Sequence, residues 1–379
     1  MLSTYMVGRV GWEGAGDVKL LEPVRVGGHS ARNRVLFGPH VTNLGRQRSF
    51  SDRHVAYYDR RAAGGCGTVV LETASVHDSD WSYERAPLAA DAGPAWRAIA
   101  SALHDRGTLA IASLGHAGGQ GSSAYHQRAL WAPSGIADPI SREVAMEMGE
   151  EEIGAVVEGF CSAATLAGSC GMDGVEVDAG PVSLVRQFLS ALSNSRSDGY
   201  GADRTRFARE VLDVVKTGLG ASAGPGAIVG LRLSCDELAP WAGITPEEAA
   251  GALSRLAPLV DYVVGVRGGP YEPGAGRPDG HVEAGFGVVT AAALRAALPP
   301  RVVVVAQGSL VEAGAAERAL LDAGADMVEM TRAQIADAEL VVKLAAGRAT
   351  TVRPCVLCNQ RCQVRDVRNP IVSCIGDPD

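Results

Sequence analysis

The chain has 379 residues, is 46% hydrophobic and 21% charged, and has a mean hydropathy of +0.07, a globular composition long enough for two medium domains or one large α/β barrel with additions. Its formal charge of −8 comes without any basic cluster, which excludes nucleic acid as a partner. No run approaches the roughly 18 apolar residues of a membrane span, and the first twenty residues hold no signal-peptide core, so no membrane is expected and the expected location is the cytosol.

In chain order, short β-branched runs alternate with longer helical patterns. Strands are expected at 34–38, 67–72, 109–114, 174–177, 228–233, 262–266, 302–306 and 327–330, and helices at 51–63, 95–106, 150–168, 203–219, 245–256, 289–297 and 312–323, with a last one near 336–346. Ser51 in "SDRH" and Thr245 in "TPEEAA" read as N-caps, the latter followed by a first-turn proline and acids. Eight strand–helix pairs argue for parallel strands joined by helical crossovers. The expected fold is α/β, a (β/α)8 TIM barrel with a cysteine-rich C-terminal segment. A doubly wound sheet is the alternative, but "LFGPHVTNLG" after the first strand is not its glycine fingerprint. The segments 115–149 and 267–288 are long for connecting loops, which marks them as lids or site walls.

Chemistry in such a barrel gathers at the C-terminal strand ends. These carry Pro39 and His40, Glu72 and Thr73, Ser113 and His116, Asp178, Arg232, Arg267, Gly308 and Ser309, and Thr331 and Arg332. Arg232, within "GLRLSC", needs a partner because an unpaired buried ion is costly. It either pairs with Glu72, Asp178 or Glu176, or faces an electron-rich ligand in the barrel mouth. The loops "QGS" and "TRA" after strands seven and eight offer small residues, hydroxyls and an arginine, the makings of a phosphate cradle. His116 is either a proton donor or a hydrogen-bonded wall residue. Tyr271 and His281 are candidates because their loop is long.

Four of the eight cysteines lie in the tail "CVLCNQRCQVRDVRNPIVSCIGDPD" as Cys355, Cys358, Cys362 and Cys374. Structural disulfides are rare in the cytosol. Three close thiols and a distant fourth suit an iron–sulfur cluster, with zinc as the second reading and disulfides or free thiols as the third. Cys161 and Cys170, in a helical stretch, read as small core residues.

The stretches "NRVLFGPHVTNLG", "YYDRRAAGGCGTVVLE", "GHAGGQGSSAY", "DGVEVDAGPVSLVRQFLSALSNSRSD", "GLRLS", "GADMVEMTRAQIADAEL" and "RPCVLCNQRCQVRDVRNPIVSCIGDP" carry a family likeness. The chain resembles the iron–sulfur branch of the Old Yellow Enzyme family, the branch of bacterial 2,4-dienoyl-CoA reductase and trimethylamine dehydrogenase. Within that branch it is most similar to the mycofactocin-associated flavin oxidoreductases. The resemblance implies an FMN-binding barrel over 20–348 and a 4Fe-4S segment over 349–379. It implies that Pro39, His40 and Val41 approach the flavin, with Glu72 and Ser113 nearby. Arg232 would face the N1/C2 edge, where charge gathers on reduction. Gly308, Ser309, Thr331 and Arg332 would hold the phosphate, and the four tail cysteines the cluster.

Three positions depart from the family pattern. Ser183 stands at or beside the place of the tyrosine proton donor after strand four. Pro270 and Tyr271 stand where a histidine follows strand six, and Ser113 replaces a flavin-contacting glutamine. The acid is therefore sought among Tyr271, His116 and Tyr125. Relatives continue into FAD- and NAD(P)H-binding domains, which here are either lost, split onto a separate chain or cut off by truncation, so the expected partner is an electron donor or acceptor protein, with such a separate chain as one form of it. The expected activity is hydride transfer to an activated C=C bond. The alternatives are an amine or alcohol dehydrogenase passing electrons out through the cluster, and a non-catalytic barrel subunit clamped by zinc.

Overall fold

The eight expected strands form one closed ring. The computed structural model describes residues 18–272, 274–364 and 370–377. Its barrel strands are β1 (Val35–Phe37), β2 (Thr68–Val70), β3 (Leu109–Gly115), β4 (Gly174–Ala179), β5 (Ile228–Asp236), β6 (Tyr262–Arg267), β7 (Val303–Ala306) and β8 (Met327–Glu329). All neighbours pair in parallel, β8 pairs with β1, and β2 pairs with β3, so no edge is left open. The fold is the (β/α)8 barrel.

Alternation along the strands sorts the core into two layers. Leu36, Val70, Ile111, Val264, Val305 and Met327 point into the barrel and pack together. Their neighbours, such as Val35, Val69, Ala110 and Val175, pack outward under the helices. Those helices are α1 (Asp52–Ala63), α2 (Gly93–His104), α3 (Glu150–Ser169), α4 (Arg206–Ala223), α5 (Pro246–Leu256), α6 (Val288–Ala297), α7 (Ala313–Leu321) and α8 (Leu340–Ala345). The expected caps are present: Ser51 forms a capping box with His54, and the Thr245 side chain accepts from Glu248 N–H.

Two features differ from the expectation. A hairpin, Val24–Val26 against His29–Ala31, places Val26 and Ala31 in the inner layer with Ile228 and Met327. The last helix is shorter than 336–346. A short helix, Thr331–Ala336, ends at Asp337, whose backbone is extended. The Asp337 carboxylate accepts from Lys343 Nζ at 2.7 Å and Arg353 N–H at 2.8 Å, and α8 starts afresh at Leu340. Cys170 is buried, as expected of a core residue, whereas Cys161 is only partly buried. Among the described residues no helix is long and apolar enough to cross a membrane.

Candidate active site

A cavity of about 760 Å³ opens at the C-terminal ends of the strands, within the usual size of a cofactor or ligand pocket. Of the residues singled out from the sequence, Pro39, His40, Val41, Glu72, Arg232, Gly308, Ser309, Thr331, Arg332, His116 and Tyr125 line it. Ser113 is buried beside it, with its hydroxyl on Thr73 Oγ1 at 2.9 Å. Tyr271 is not part of this wall: it is half-exposed, meets Trp241 edge-on at 5.8 Å, and borders a separate cavity of about 50 Å³. His281 is exposed on the same long loop, bonded to Asp279 at 2.9 Å.

The floor is charged. Glu176 on β4 and Glu329 on β8 both point inward, and Arg232 on β5 lies between them, at 2.8 Å and 2.7 Å. Tyr262 donates its hydroxyl to Glu176 at 2.8 Å. Burial alone would lower the Arg232 pKa, but the two carboxylates outweigh it and hold the guanidinium charged. Burial pushes Glu176 up against the pull of Arg232. Both sequence readings of Arg232 thus hold in part: it is ion-paired and it lines the cavity. Glu329 was missed, although the alternation that marked Arg232 also marks a charged residue in "MVEM".

At one end the loops after β7 and β8 converge. Gly308 has φ +128°, a conformation that glycine adopts without strain. An added Cβ there would lie 2.3 Å from Gly287 N. The Arg332 guanidinium donates to Ser309 Oγ, to Pro278 O at 2.7 Å and to Asn359 Oδ1 at 2.7 Å. Burial lowers the Arg332 pKa, and the charge of nearby Arg277 lowers it further. Among the described residues neither arginine makes a salt bridge with a carboxylate, although Arg277 lines the cavity. Two crowded guanidinium groups beside small-residue loops and hydroxyls fit a phosphate. Arg277 was missed because it sits within the long loop "RGGPYEPGAGRPDG" rather than at a strand end.

The remaining wall is polar. Glu72 accepts from Thr42 N–H at 3.1 Å, from Thr42 Oγ1 at 2.5 Å and from the Tyr83 hydroxyl. His40 bonds Gly38 O at 2.9 Å and the Tyr57 hydroxyl at 2.8 Å. Burial, then Arg277, pushes its pKa down to about 3, so its ring is neutral. His116 Nδ1 accepts from Gly118 N–H at 2.9 Å, Nε2 bonds Ser79 Oγ at 3.0 Å, and the ring stacks on Trp131. It is a hydrogen-bonded wall residue. Tyr125 stacks on Trp81 at the rim. Ser183 is fully buried as the N-cap of the helix Leu184–Leu189, and its hydroxyl donates to Asp178 O at 2.5 Å.

The tail wraps onto the end of the cavity that holds Arg277 and Arg332. Cys355, Cys358, Cys362 and Cys374 are all free thiols. Burial raises Cys355 and Cys362, and Arg277 and Arg332 oppose this at Cys362. Among the described residues no three His, Cys, Asp or Glu side chains are already arranged around a metal. Four unpaired thiols within electrostatic reach of one another are the donor chemistry of an iron–sulfur or zinc site.

A closed barrel with an ion-paired floor at Arg232 and a cradle that fits an anion, both at its C-terminal mouth, has the form of a cofactor-binding barrel. Residues 19–351 match the NADH:flavin oxidoreductase / NADH oxidase family, and the chain belongs to that family. It is 29% identical over 360 residues to a metal reductase of Desulforamulus reducens, covering 94% of this chain and 53% of that protein. It is 29% identical over 383 residues to an N,N-dimethylglycine/sarcosine dehydrogenase of Chromohalobacter salexigens, covering 94% of this chain and 52% of the other. The structure of a 2-naphthoyl-CoA reductase complex superposes with TM-score 0.86 at 25% identity, covering 95% of this chain and 57% of that one. The chain therefore spans about half the length of the relatives it matches. The family is one of flavin oxidoreductases, and FMN is its cofactor.

Proposed function

We propose that the protein is an FMN- and 4Fe-4S-dependent oxidoreductase of the iron–sulfur branch, and that it reduces an activated C=C bond. The observation that carries this reading is the division of one cavity into an anion cradle with two arginines that make no salt bridge among the described residues, a floor where Arg232 lies between Glu176 and Glu329, and a wall of hydrogen-bonded polar groups. Bound FMN supplies a hydride equivalent and accepts electrons singly or in pairs, and a 4Fe-4S cluster supplies single electrons.

The chain's own residues do the rest. Gly308, Ser309, Thr331, Arg332 and Arg277 hold the phosphate. Pro39, His40 and Val41 form the wall from β1, with the neutral His40 ring locked by Tyr57. Glu72 and Ser113 brace the neighbouring strand ends. Arg232 provides fixed positive charge that favours negative charge on the reduced cofactor. Cys355, Cys358, Cys362 and Cys374 ligate the cluster within 349–379. Electrons are exchanged with an electron donor or acceptor in the cytosol.

A second reading, amine oxidation with electrons leaving through the cluster, is favoured by the carboxylates Asp80 and Asp178 in the cavity wall, which would attract an ammonium. The similarity to the N,N-dimethylglycine/sarcosine dehydrogenase points the same way. The test is an anaerobic absorption spectrum with iron and acid-labile sulfide counted on the same sample, followed by mixing with either 2-cyclohexenone or N,N-dimethylglycine. Flavin bands, about four irons per chain and reoxidation by the enone support the reductase. Bleaching by the amine supports the second reading. A colourless chain holding zinc overturns both.

A further inference from the structure

We propose that Asp178 is the acid that delivers the proton when the C=C bond is reduced, an inference that rests on the reductase reading above. The residue is the last inward-facing position of β4, one step above Glu176, and it lines the cavity. It is paired in register with Arg232 on β5. Yet the Arg232 guanidinium is committed to Glu176 and Glu329, and Asp178 makes no salt bridge among the described residues.

Its carboxyl is held on one side and open on the other. Oδ1 accepts the Gly180 N–H at 2.8 Å. Oδ2 has no hydrogen-bond partner among the described residues, and the residue lines the cavity. Glycine at 180 makes this possible, because a Cβ there would sit 2.9 Å from Oδ1. The result is a fixed carboxyl with one free oxygen at the end of a barrel strand, where reacting groups of this fold gather.

Several other groups of the wall are held by hydrogen bonds, and Tyr125 stacks on Trp81 at the rim. Ser183 donates to the Asp178 carbonyl and is buried. Tyr83 donates to Glu72. Asp80 Oδ2 accepts from Ser75 Oγ at 2.7 Å, and its unpartnered Oδ1 is buried. His116 accepts at Nδ1 from a backbone N–H and turns Nε2 to Ser79.

The groups around Asp178 favour its protonated form relative to a free carboxyl. Burial pushes its pKa up; the Gly180 N–H and then Arg232 draw it down; Asp80 pushes it up again, and Arg186 draws it down slightly. Glu176 lies below it on the same strand and Glu329 across the floor, both already facing Arg232.

The step balances as follows. The C=C bond beside a carbonyl gains two electrons and one hydrogen at its far carbon from the reduced cofactor. The carbon next to the carbonyl takes the proton from Asp178, and the Asp178 O–H bond breaks. Asp178 becomes a carboxylate and is reprotonated from solvent through the cavity mouth. The C=C bond is reduced, the cofactor is oxidised, and no further reagent is required.

The experiment compares the FMN-loaded wild type with Asp178→Asn and Asp178→Glu. Each is photoreduced anaerobically and mixed with 2-cyclohexenone across a pH series. Infrared difference spectra in H2O and D2O are recorded for the carbonyl stretch of a protonated carboxylic acid. Asp178→Asn is expected to keep its FMN content and to slow enone reduction by about 10²-fold or more, the usual contribution of a general acid. Asp178→Glu recovers part of the rate. The wild-type rate falls as pH rises through the Asp178 pKa, that limb is absent in Asp178→Asn, and the acid band disappears with it. A wild type that reduces the enone while Asp178→Asn matches its rate and pH profile overturns the role of Asp178 alone. So does a wild type without the acid band. A wild type that binds FMN but never reduces the enone overturns the reductase reading, and this role with it.

Discussion

Arg232 carries one positive charge against two buried carboxylates, Glu176 at 2.8 Å and Glu329 at 2.7 Å. Replacing it with methionine strands both, and breaking a buried pair from one side costs about 3–5 kcal/mol. Arg232→Met is expected to lose stability on that scale in urea melts. Adding Glu329→Gln is expected to recover part of the loss, because one stranded charge is then gone. A single variant as stable as wild type would mean that water or a proton neutralises the pair. At this scale the sequence was informative only where a residue type was out of place. An arginine within "GLRLSC" demanded a partner, and Glu176 was among the three acids considered. Glu329 and Arg277 were not found, since one was passed over inside a short strand and the other lies in a loop whose path no periodicity describes. Asp178 was read only as a possible ion-pair partner. Its open oxygen depends on Arg232 being occupied by two other acids, which is a matter of three-dimensional arrangement.

The elements were legible because short apolar, β-branched runs alternate with longer helical patterns over the whole chain, and the strand centres follow those runs. What was not legible is set by contacts distant in sequence. The hairpin Val24–Val26 and His29–Ala31 has only three residues per strand, too few for a period. The break at Asp337 depends on its bonds to Lys343 and Arg353. The loop after β7 is the clearest case of an element serving the site. Gly308 holds φ +128° within a crossing so tight that a methyl group would press on Gly287 N. Gly308→Ala must therefore move the cradle backbone, at a cost of about 1–3 kcal/mol. The expected outcome is a lower melting temperature together with loss of FMN during gel filtration, while secondary structure by circular dichroism is kept. An alanine variant that retains FMN at wild-type occupancy would show that the cradle does not depend on this crossing.

Across the whole molecule, the C-terminal segment is tied to the barrel rather than trailing from it. Val372 N–H donates to Thr42 O at 2.9 Å, and Asp377 pairs with Arg60 at 2.8 Å and Arg353 at 2.9 Å. Gly280 N–H donates to Leu357 O at 3.1 Å. Asn359, the residue after Cys358, accepts from Arg332 at 2.7 Å and donates to Arg277 O at 2.8 Å. One side chain of the cysteine loop thus holds both arginines of the proposed phosphate cradle. The spacing of the cysteines named a donor set, but nothing in it told which barrel loop the segment would meet. If the proposed function holds, this contact couples the two cofactor sites. Replacing Cys355 and Cys358 with serine together is expected to remove the iron and also to lower FMN occupancy, because the loop carrying Asn359 loses its anchor. Asn359→Ala is expected to keep its iron and still bind FMN about tenfold more weakly, the loss of a hydrogen bond to a charged group being worth about 1.5–3 kcal/mol. Fluorescence titration with FMN and iron counts on the same samples separate the two effects. Full FMN affinity in an iron-free double serine variant would show that the sites are independent and that Asn359 merely packs against Arg332.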